Sequence, residues 1–306
     1  MKSTLHHVLS RDGTAVGWHD FPALGAGGAV DARPPIILTT GLGTTPNFWS
    51  GLVAALAPEH RVVRWDYRGH GDSEVSRGGD YSMATQADDL ARVTLAALGE
   101  RVDGRDHAPT PVVHVGFSMG VTVLLELYRR RPELVRAMVL IAGGADHPYG
   151  ASALFQLPGV RAALQGALFA ASPVVPRLSP VTRYLSKSRL LYPLGRALGA
   201  LGPDAPRDEI EHFFRTVGAM DWGAYWSTLR ALFDSHASDV LPTVSVPVLV
   251  IAPEHDVMAP SADLEQLRRS IPGAEWIQIP GTGHALLLEA GDAVAQAVRS
   301  FLRRLD

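Results

Sequence analysis

Ser118, Asp256 and His284 are the residues whose types and spacing could do chemistry together. A serine hydroxyl becomes a competent nucleophile only when a positioned base takes its proton. That base in turn needs a carboxylate to fix its tautomer and stabilise the imidazolium. Ser118 stands in Gly116-Phe117-Ser118-Met119-Gly120, a G-x-S-x-G pentapeptide that is weak evidence alone. Its setting adds weight: a β-branched run from Pro111 to Val115 leads straight into it, and helical spacing begins at Met119. A serine at such a sharp strand-to-helix turn sits in a crowded backbone, so its neighbours two residues away on either side must be small. The helix starting there aims its first N–H groups at a developing oxyanion. The competing reading is a glycine-rich turn whose serine only caps the helix.

Twelve histidines compete for the role of base, so residue type decides nothing. His284 is singled out by place, in the loop Pro280-Gly281-Thr282-Gly283-His284 between a short strand pattern and the last helix. Asp256 follows another strand pattern by four residues, at the sheet edge where α/β ligand sites form. Glu254 and Asp146 are rivals for the acid, Asp146 because it follows the sixth strand. Acyl transfer also needs two donors for the oxyanion. The Met119 N–H is one candidate, and the Leu42 N–H in Thr40-Gly41-Leu42-Gly43-Thr44 is the other, with flanking glycines that permit close backbone approach. This constellation implies attack on the carbonyl of a carboxylic ester or lactone through an acyl-serine intermediate. Acyl transfer to another acceptor, perhydrolysis and carbon–carbon hydrolysis would use the same groups. A ligand-binding protein without turnover has no need of all three.

The elements that must position these residues alternate short β-branched runs with helical patterns, the mark of a mostly parallel, helix-covered sheet. An opening hairpin spans Leu5–Leu9 and Thr14–His19, and Gly25–Val30 reads as a surface loop. Strands are expected at Ile36–Thr39, Arg61–Asp66, Val112–Val115 and Val135–Ala142, with helices at Phe48–Leu56, Met83–Leu98 and Met119–Arg130. From about Gly143 to Asp239 no strand pattern appears, only helical segments near Ala151–Ala171, Val181–Leu201 and Asp208–Asp234. Strand rhythm resumes at Val248–Ala252 and Glu275–Ile279, with helices Ser261–Ser270 and Ala285–Leu305. The expected plan is a core domain from residues 1–143 and 240–306, with a helical cap at 144–239. Aromatics enrich that insertion. Trp222 and Trp226, one helical turn apart, are candidates with Gly41 for lining a lipophilic pocket.

The chain resembles the α/β-hydrolase superfamily over nearly its whole length. The likeness rests on Gly41-Leu42-Gly43, on Asp66-Tyr67-Arg68-Gly69-His70-Gly71-Asp72-Ser73, on Gly116–Gly120, on Glu254-His255-Asp256 and on Gly281–His284. The stretch from Thr40 to Ser73 is especially similar to 3-oxoadipate enol-lactonases and the cofactor-free haloperoxidase/esterase group. The resemblance implies an eight-stranded sheet with a cap inserted after the sixth strand, and Asp66–Ser73 as a structural turn. Thr40 stands where many members carry histidine, which leaves the bracing of the oxyanion loop open. Serine at 118 rather than aspartate separates the chain from haloalkane dehalogenases and epoxide hydrolases.

Composition bounds the rest. Net charge is −3, with 28 basic and 31 acidic residues and no long same-sign block, which argues against a nucleic-acid surface. Cysteine is absent, excluding disulfides and thiolate chemistry. No metal-ligand spacing, P-loop or dinucleotide fingerprint appears, so no cofactor or metal is expected. Neither a signal peptide nor a membrane span is legible, and a soluble cytoplasmic enzyme acting on a small lipophilic ester or lactone is the expectation.

Overall fold

The computed structural model describes residues 2–23, 34–100, 109–146, 159–171 and 174–305. The expected loop Gly25–Val30 lies outside these residues, as does the 151–158 portion of the expected Ala151–Ala171 helix.

Eight strands form one sheet: β1 (Thr4–Leu9), β2 (Ala15–Phe21), β3 (Ile36–Thr39), β4 (Val62–Trp65), β5 (Val112–Phe117), β6 (Val135–Ile141), β7 (Val248–Pro253) and β8 (Glu275–Ile279). Their spatial order is β1-β2-β4-β3-β5-β6-β7-β8. The first hairpin pairs antiparallel, as does β2 with β4; every later pairing is parallel. The central strands β3, β4, β5 and β7 are buried at every position, which explains why they read as continuous apolar runs rather than alternations. Edge strand β1 keeps an exposed face instead.

Helices α1 (Ser50–Leu56), α2 (Met83–Leu98), α3 (Met119–Arg130) and α9 (Ser261–Ser270) cover the sheet with α10 (Leu286–Glu289) and α11 (Gly291–Leu302). Boundaries of α2 follow local chemistry: the Ser82 side chain accepts the Thr85 N–H at one end, and Gly99 at φ 72 closes the other. Four expected helices are broken. Phe48–Leu56 becomes a 3₁₀ turn, Pro46–Trp49, followed by α1. The 285–305 stretch divides at Ala290 into α10 and α11.

Between β6 and β7 the described chain forms α4 (Val160–Ala171), α5 (Ser179–Leu185), α6 (Leu191–Ala197), α7 (Arg207–Ala219) and α8 (Trp222–Phe233). Two of these breaks fall inside runs expected to be continuous. The 181–201 run divides into α5 and α6, and the 208–234 run divides at Met220-Asp221, where Asp221 caps α8 by accepting the Ala224 N–H at 2.8 Å. Helical periodicity carries across such a cap, so spacing alone did not reveal it.

The chain moves outward from β3 to β4, then returns past β3 to β5. That reversal opens a crevice at the carboxyl ends of β3 and β5. Thr39 pairs with Gly116, so residues 40–42 and 117–119 diverge from adjacent strand ends. The Asp66–Ser73 turn lies beside them and is held by a buried ion network. Arg68, 1% exposed, donates through Nε and Nη2 to Asp89 at 2.7 and 3.1 Å and through Nη1 to Asp12 at 3.1 Å. Removing one partner from such a cluster leaves the others buried and unpaired. Arg68→Met is expected to lower unfolding free energy in urea by about 3–5 kcal/mol, and Arg68→Met/Asp89→Leu to recover part of that loss.

Candidate active site

Ser118 adopts φ 54, ψ −121, a region that L side chains rarely enter. Its surroundings hold it there. The Ser118 N–H donates to the Ile141 carbonyl at 2.9 Å, and the Ser118 carbonyl accepts the Val121 N–H at 2.9 Å. Three glycines make the turn sterically possible. A Cβ at Gly116 would lie 2.8 Å from the Gly120 carbonyl, one at Gly120 would lie 2.3 Å from the Thr39 carbonyl, and one at Gly143 would lie 2.2 Å from the Ser118 carbonyl. Gly116 and Gly120 belong to the pentapeptide. Gly143, on the neighbouring strand's exit, was not singled out from sequence, because nothing in its own local pattern points to a turn twenty-five residues upstream.

The structure brings Ser118, His284 and Asp256 together. Ser118 Oγ is 3.0 Å from His284 Nε2, and His284 Nδ1 is 2.6 Å from Asp256 Oδ2. The carboxylate claims the Nδ1 proton, which leaves the Nε2 lone pair facing the serine hydroxyl. Asp256, 5% exposed, has its other oxygen occupied by the N–H groups of Met258 at 2.8 Å and Ala259 at 3.0 Å. The rival acids are engaged elsewhere. Asp146 accepts the Ala237 and Ser238 N–H groups and faces His236 at 3.0 Å, while Glu254 accepts the Gly281 N–H at 2.8 Å. His255 is exposed beside Glu254.

Burial on its own depresses the His284 imidazole, but the Asp256 charge and hydrogen bond, with the Glu289 charge beyond, lift it above its ordinary value. Glu289 was not foreseen. Its carboxylate accepts the Gly283 N–H at 2.6 Å and the Gly202 N–H at 3.0 Å, tying the histidine loop to the segment after α6. Burial, outweighing those two N–H bonds, raises the Glu289 carboxyl above its usual range, and the nearby Asp256 charge adds to it. The same segment supplies the Ala200 carbonyl, which accepts the His284 N–H at 3.2 Å. Being local to neither the serine nor the aspartate, Glu289 gives no motif a sequence reading could use.

Gly41 lies close to Ser118: a Cβ there would stand 3.0 Å from Ser118 Cβ. Among the described residues, the Leu42 and Met119 N–H groups enter no backbone hydrogen bond. Bracing of this loop comes from the neighbouring turn. Tyr67 donates its hydroxyl to the Thr40 carbonyl at 2.6 Å, and Trp65 donates Nε1 to Thr39 Oγ1 at 3.2 Å. So Thr40 is held through its backbone, and part of the Asp66–Ser73 motif braces this loop.

Above the loop sits a cavity of about 340 Å³ lined by Gly41, Thr44, His70, Thr216, Ala219 and Met220, among others. Neither Trp222 nor Trp226 lines it. From α8 Tyr225 reaches this loop, its Cε2 2.9 Å from where a Gly43 Cβ would be, with Val217 Cγ2 of α7 at 3.3 Å. Trp222 packs behind it, ring centroids 5.1 Å apart. Tyr225 shares the face expected of the tryptophans but stands one residue before Trp226, a rotation that periodicity does not resolve.

The alpha/beta hydrolase fold family matches residues 34–291. A protein named putative carbamate hydrolase RutD from Klebsiella pneumoniae is 27% identical over 266 residues, 82% of this chain and 85% of that one. The solved enol-lactonase from Burkholderia xenovorans LB400 superposes with TM-score 0.70 at 23% identity, covering 97% of this chain and all of that one. A bromoperoxidase from Bacillus anthracis superposes with TM-score 0.73 at 16% identity, covering 99% of this chain and 100% of its own. Among the described residues no helix is long and apolar enough to cross a membrane. With the switch-point crevice, the strained serine turn and a match across most of its length, this chain belongs to the alpha/beta hydrolase fold family and is a hydrolase.

Proposed function

We propose that the protein cleaves a carboxylic ester or lactone through an acyl-serine intermediate, with Ser118 as nucleophile, His284 as general base and acid, and Asp256 as its partner. The observation that carries this reading is the continuous relay from Ser118 Oγ to His284 Nε2 at 3.0 Å and from His284 Nδ1 to Asp256 at 2.6 Å, built on a positive-φ serine. Ser118 Oγ attacks the carbonyl carbon while its proton passes to His284 Nε2. The oxyanion is held by the Leu42 and Met119 N–H groups, fixed dipoles that need no reorganisation as charge develops. Collapse of the tetrahedral intermediate expels the alkoxide, which takes the proton from His284; in a lactone this opens the ring. Water then attacks the acyl-serine with His284 as base, and Ser118 leaves with its proton restored.

In this reading residues 144–239 are a cap over a core of 1–143 and 240–306. Gly41, Tyr225 and Val217 stand at the entrance to the oxyanion loop, and Trp222 supports Tyr225 from behind. Tyr225 and Val217 favour a lipophilic acyl or alcohol group there, beside a cavity whose lining also includes His70, Asp72 and Asp221.

The name carried by the curated relatives favours a second substrate class, since a carbamate offers the same kind of carbonyl to the same nucleophile. Parallel assays of p-nitrophenyl butyrate and a p-nitrophenyl carbamate separate the two. Ester turnover at least about tenfold faster in kcat/KM is the expected outcome, and the reverse order assigns the carbamate.

Ser118→Ala is expected to reduce ester hydrolysis by at least about a thousandfold with folding unchanged, and an undiminished rate overturns the mechanism. The pH dependence follows from His284. Catalysis needs the neutral imidazole, so activity falls as pH drops through its pKa. The neighbouring carboxylates raise that pKa, which places the acid limb of kcat/KM above about 6.5. Glu289→Gln removes one of those charges and should move the limb to lower pH; a limb that stays or rises contradicts this account.

A further inference from the structure

Residues 147–203 contain six basic side chains, Arg161, Arg177, Arg183, Lys187, Arg189 and Arg196, and no aspartate or glutamate. At the chain's average of 31 acids in 306 residues, a stretch of this length would carry about six. Arg183, Lys187, Arg189 and Arg196 are exposed on and between α5 and α6. The same surface exposes large apolar groups: Tyr184 is 78% exposed, Leu190 74% and Leu198 65%, with Leu185 and Leu194 also above half. Leu190, Leu194 and Leu198 recur every four residues, so they form one stripe along α6 and its flanks. Both α5 and α6 pack against α7, which leaves this stripe turned outward. The apolar surface continues onto the core, where Val257, 45% exposed, approaches within 3.0 Å of where a Gly199 Cβ would lie.

Isolated surface leucines need no explanation, but a cluster of this size interleaved with one sign of charge does. A second copy fits poorly, because an isologous contact would set these cations against themselves. Nucleic acid would use the cations, yet it offers no place for a row of leucines. A bilayer surface of anionic phospholipid satisfies both features. Aliphatic and aromatic side chains enter the boundary between headgroups and acyl chains, while the arginines and Lys187 reach headgroup phosphates.

We propose that the α5–α6 face of this protein docks on the surface of anionic phospholipid membranes. The face leads directly to the triad. The chain leaving α6 passes Leu198 to Ala200 and Gly202, whose carbonyl and N–H meet the His284 N–H and the Glu289 carboxylate. Docking therefore sets the cap's outer face against lipid and its exit segment against the catalytic histidine, a route for lipophilic substrates to reach Ser118 from the membrane. Docking itself is independent of the chemistry proposed for Ser118; only its use in delivering substrate rests on that reading.

Flotation of the full chain with vesicles of phosphatidylcholine alone, or with phosphatidylglycerol added, tests this. The protein should float with the phosphatidylglycerol vesicles, stay at the bottom with phosphatidylcholine alone, and detach at about 0.5 M NaCl. Arg183→Gln/Lys187→Gln/Arg189→Gln should weaken binding on the order of a hundredfold. Leu190→Ser/Leu194→Ser should also weaken it, while near-ultraviolet circular dichroism and turnover of water-soluble p-nitrophenyl acetate stay at wild-type levels. Wild-type protein that never floats overturns the proposal, as does binding indifferent to lipid charge or to the triple substitution. A dimer in sedimentation that Leu190→Ser/Leu194→Ser dissolves assigns the face to a second copy instead. Retention on an RNA column without flotation assigns it to nucleic acid. Failure of the Ser118 chemistry would show in Ser118→Ala alone and leave flotation unchanged.

Discussion

A serine backbone held at φ 54 is the constraint around which the rest of the molecule is arranged. Such a conformation costs on the order of 1–3 kcal/mol and persists only where neighbours over-determine it. Here the Ile141 carbonyl fixes one side of Ser118 and the Val121 N–H fixes the other. Those contacts require β5, β6 and α3 to meet at one point with almost no space between them. Glycines at 116, 120 and 143 are the steric consequence, since a methyl group at any of them would press on backbone. The parallel register of β3 with β5 then sets the Gly41 loop against Ser118 without further adjustment. Sheet topology, turn composition and the placing of the two candidate oxyanion donors are thus one requirement expressed at three scales.

Moving away from the serine, each buried polar group is matched by the next. His284 is oriented by Asp256, and Asp256 is oriented by two backbone N–H groups beyond it. Glu289 closes the outer side by gripping the backbone on both sides of the gap between the histidine loop and the α6 exit. The arrangement balances opposed forces on the imidazole. Burial favours its neutral form, and the two carboxylates favour the imidazolium. A base too readily protonated would stand idle at neutral pH, and one too weak would not take the serine proton.

Much of this was legible in the sequence because the informative residues are local. The pentapeptide around Ser118, the glycines before His284 and the apolar runs of the central strands each carry their meaning within a few positions. The strand positions and the meeting of Ser118, Asp256 and His284 followed from chain order at the sheet's carboxyl edge. What escaped the reading depends on distance. Gly143 matters because of Ser118, Glu289 because of Gly202, and Tyr67 because of Thr40, pairs that only the folded topology creates. Helix breaks at Met220-Asp221 and Ala290 escaped for another reason: apolar spacing continues through them, while the interruption is made by a cap or by tertiary packing. The approach of Tyr225 to Gly43 shows the same limit, because periodicity defines a face but not which side chain at its edge reaches a given loop.

Charge distribution links the α5–α6 segment to the whole molecule. A chain of net charge −3 that carries +6 within residues 147–203 leaves −9 to the remainder. The net positive charge is therefore concentrated in one segment, residues 147–203, and every acidic side chain lies outside it. Near an anionic surface such an asymmetry attracts the α5–α6 segment more strongly than the rest of the chain. The exposed leucines of α6 lie in that segment, so the orientation that electrostatics favours is the one that lets apolar groups leave water. Within about a Debye length the two effects act on the same face, and neither need be strong by itself. Because the segment leaving that face also touches His284, a surface that engages α5 and α6 acts within a few residues of the proposed base.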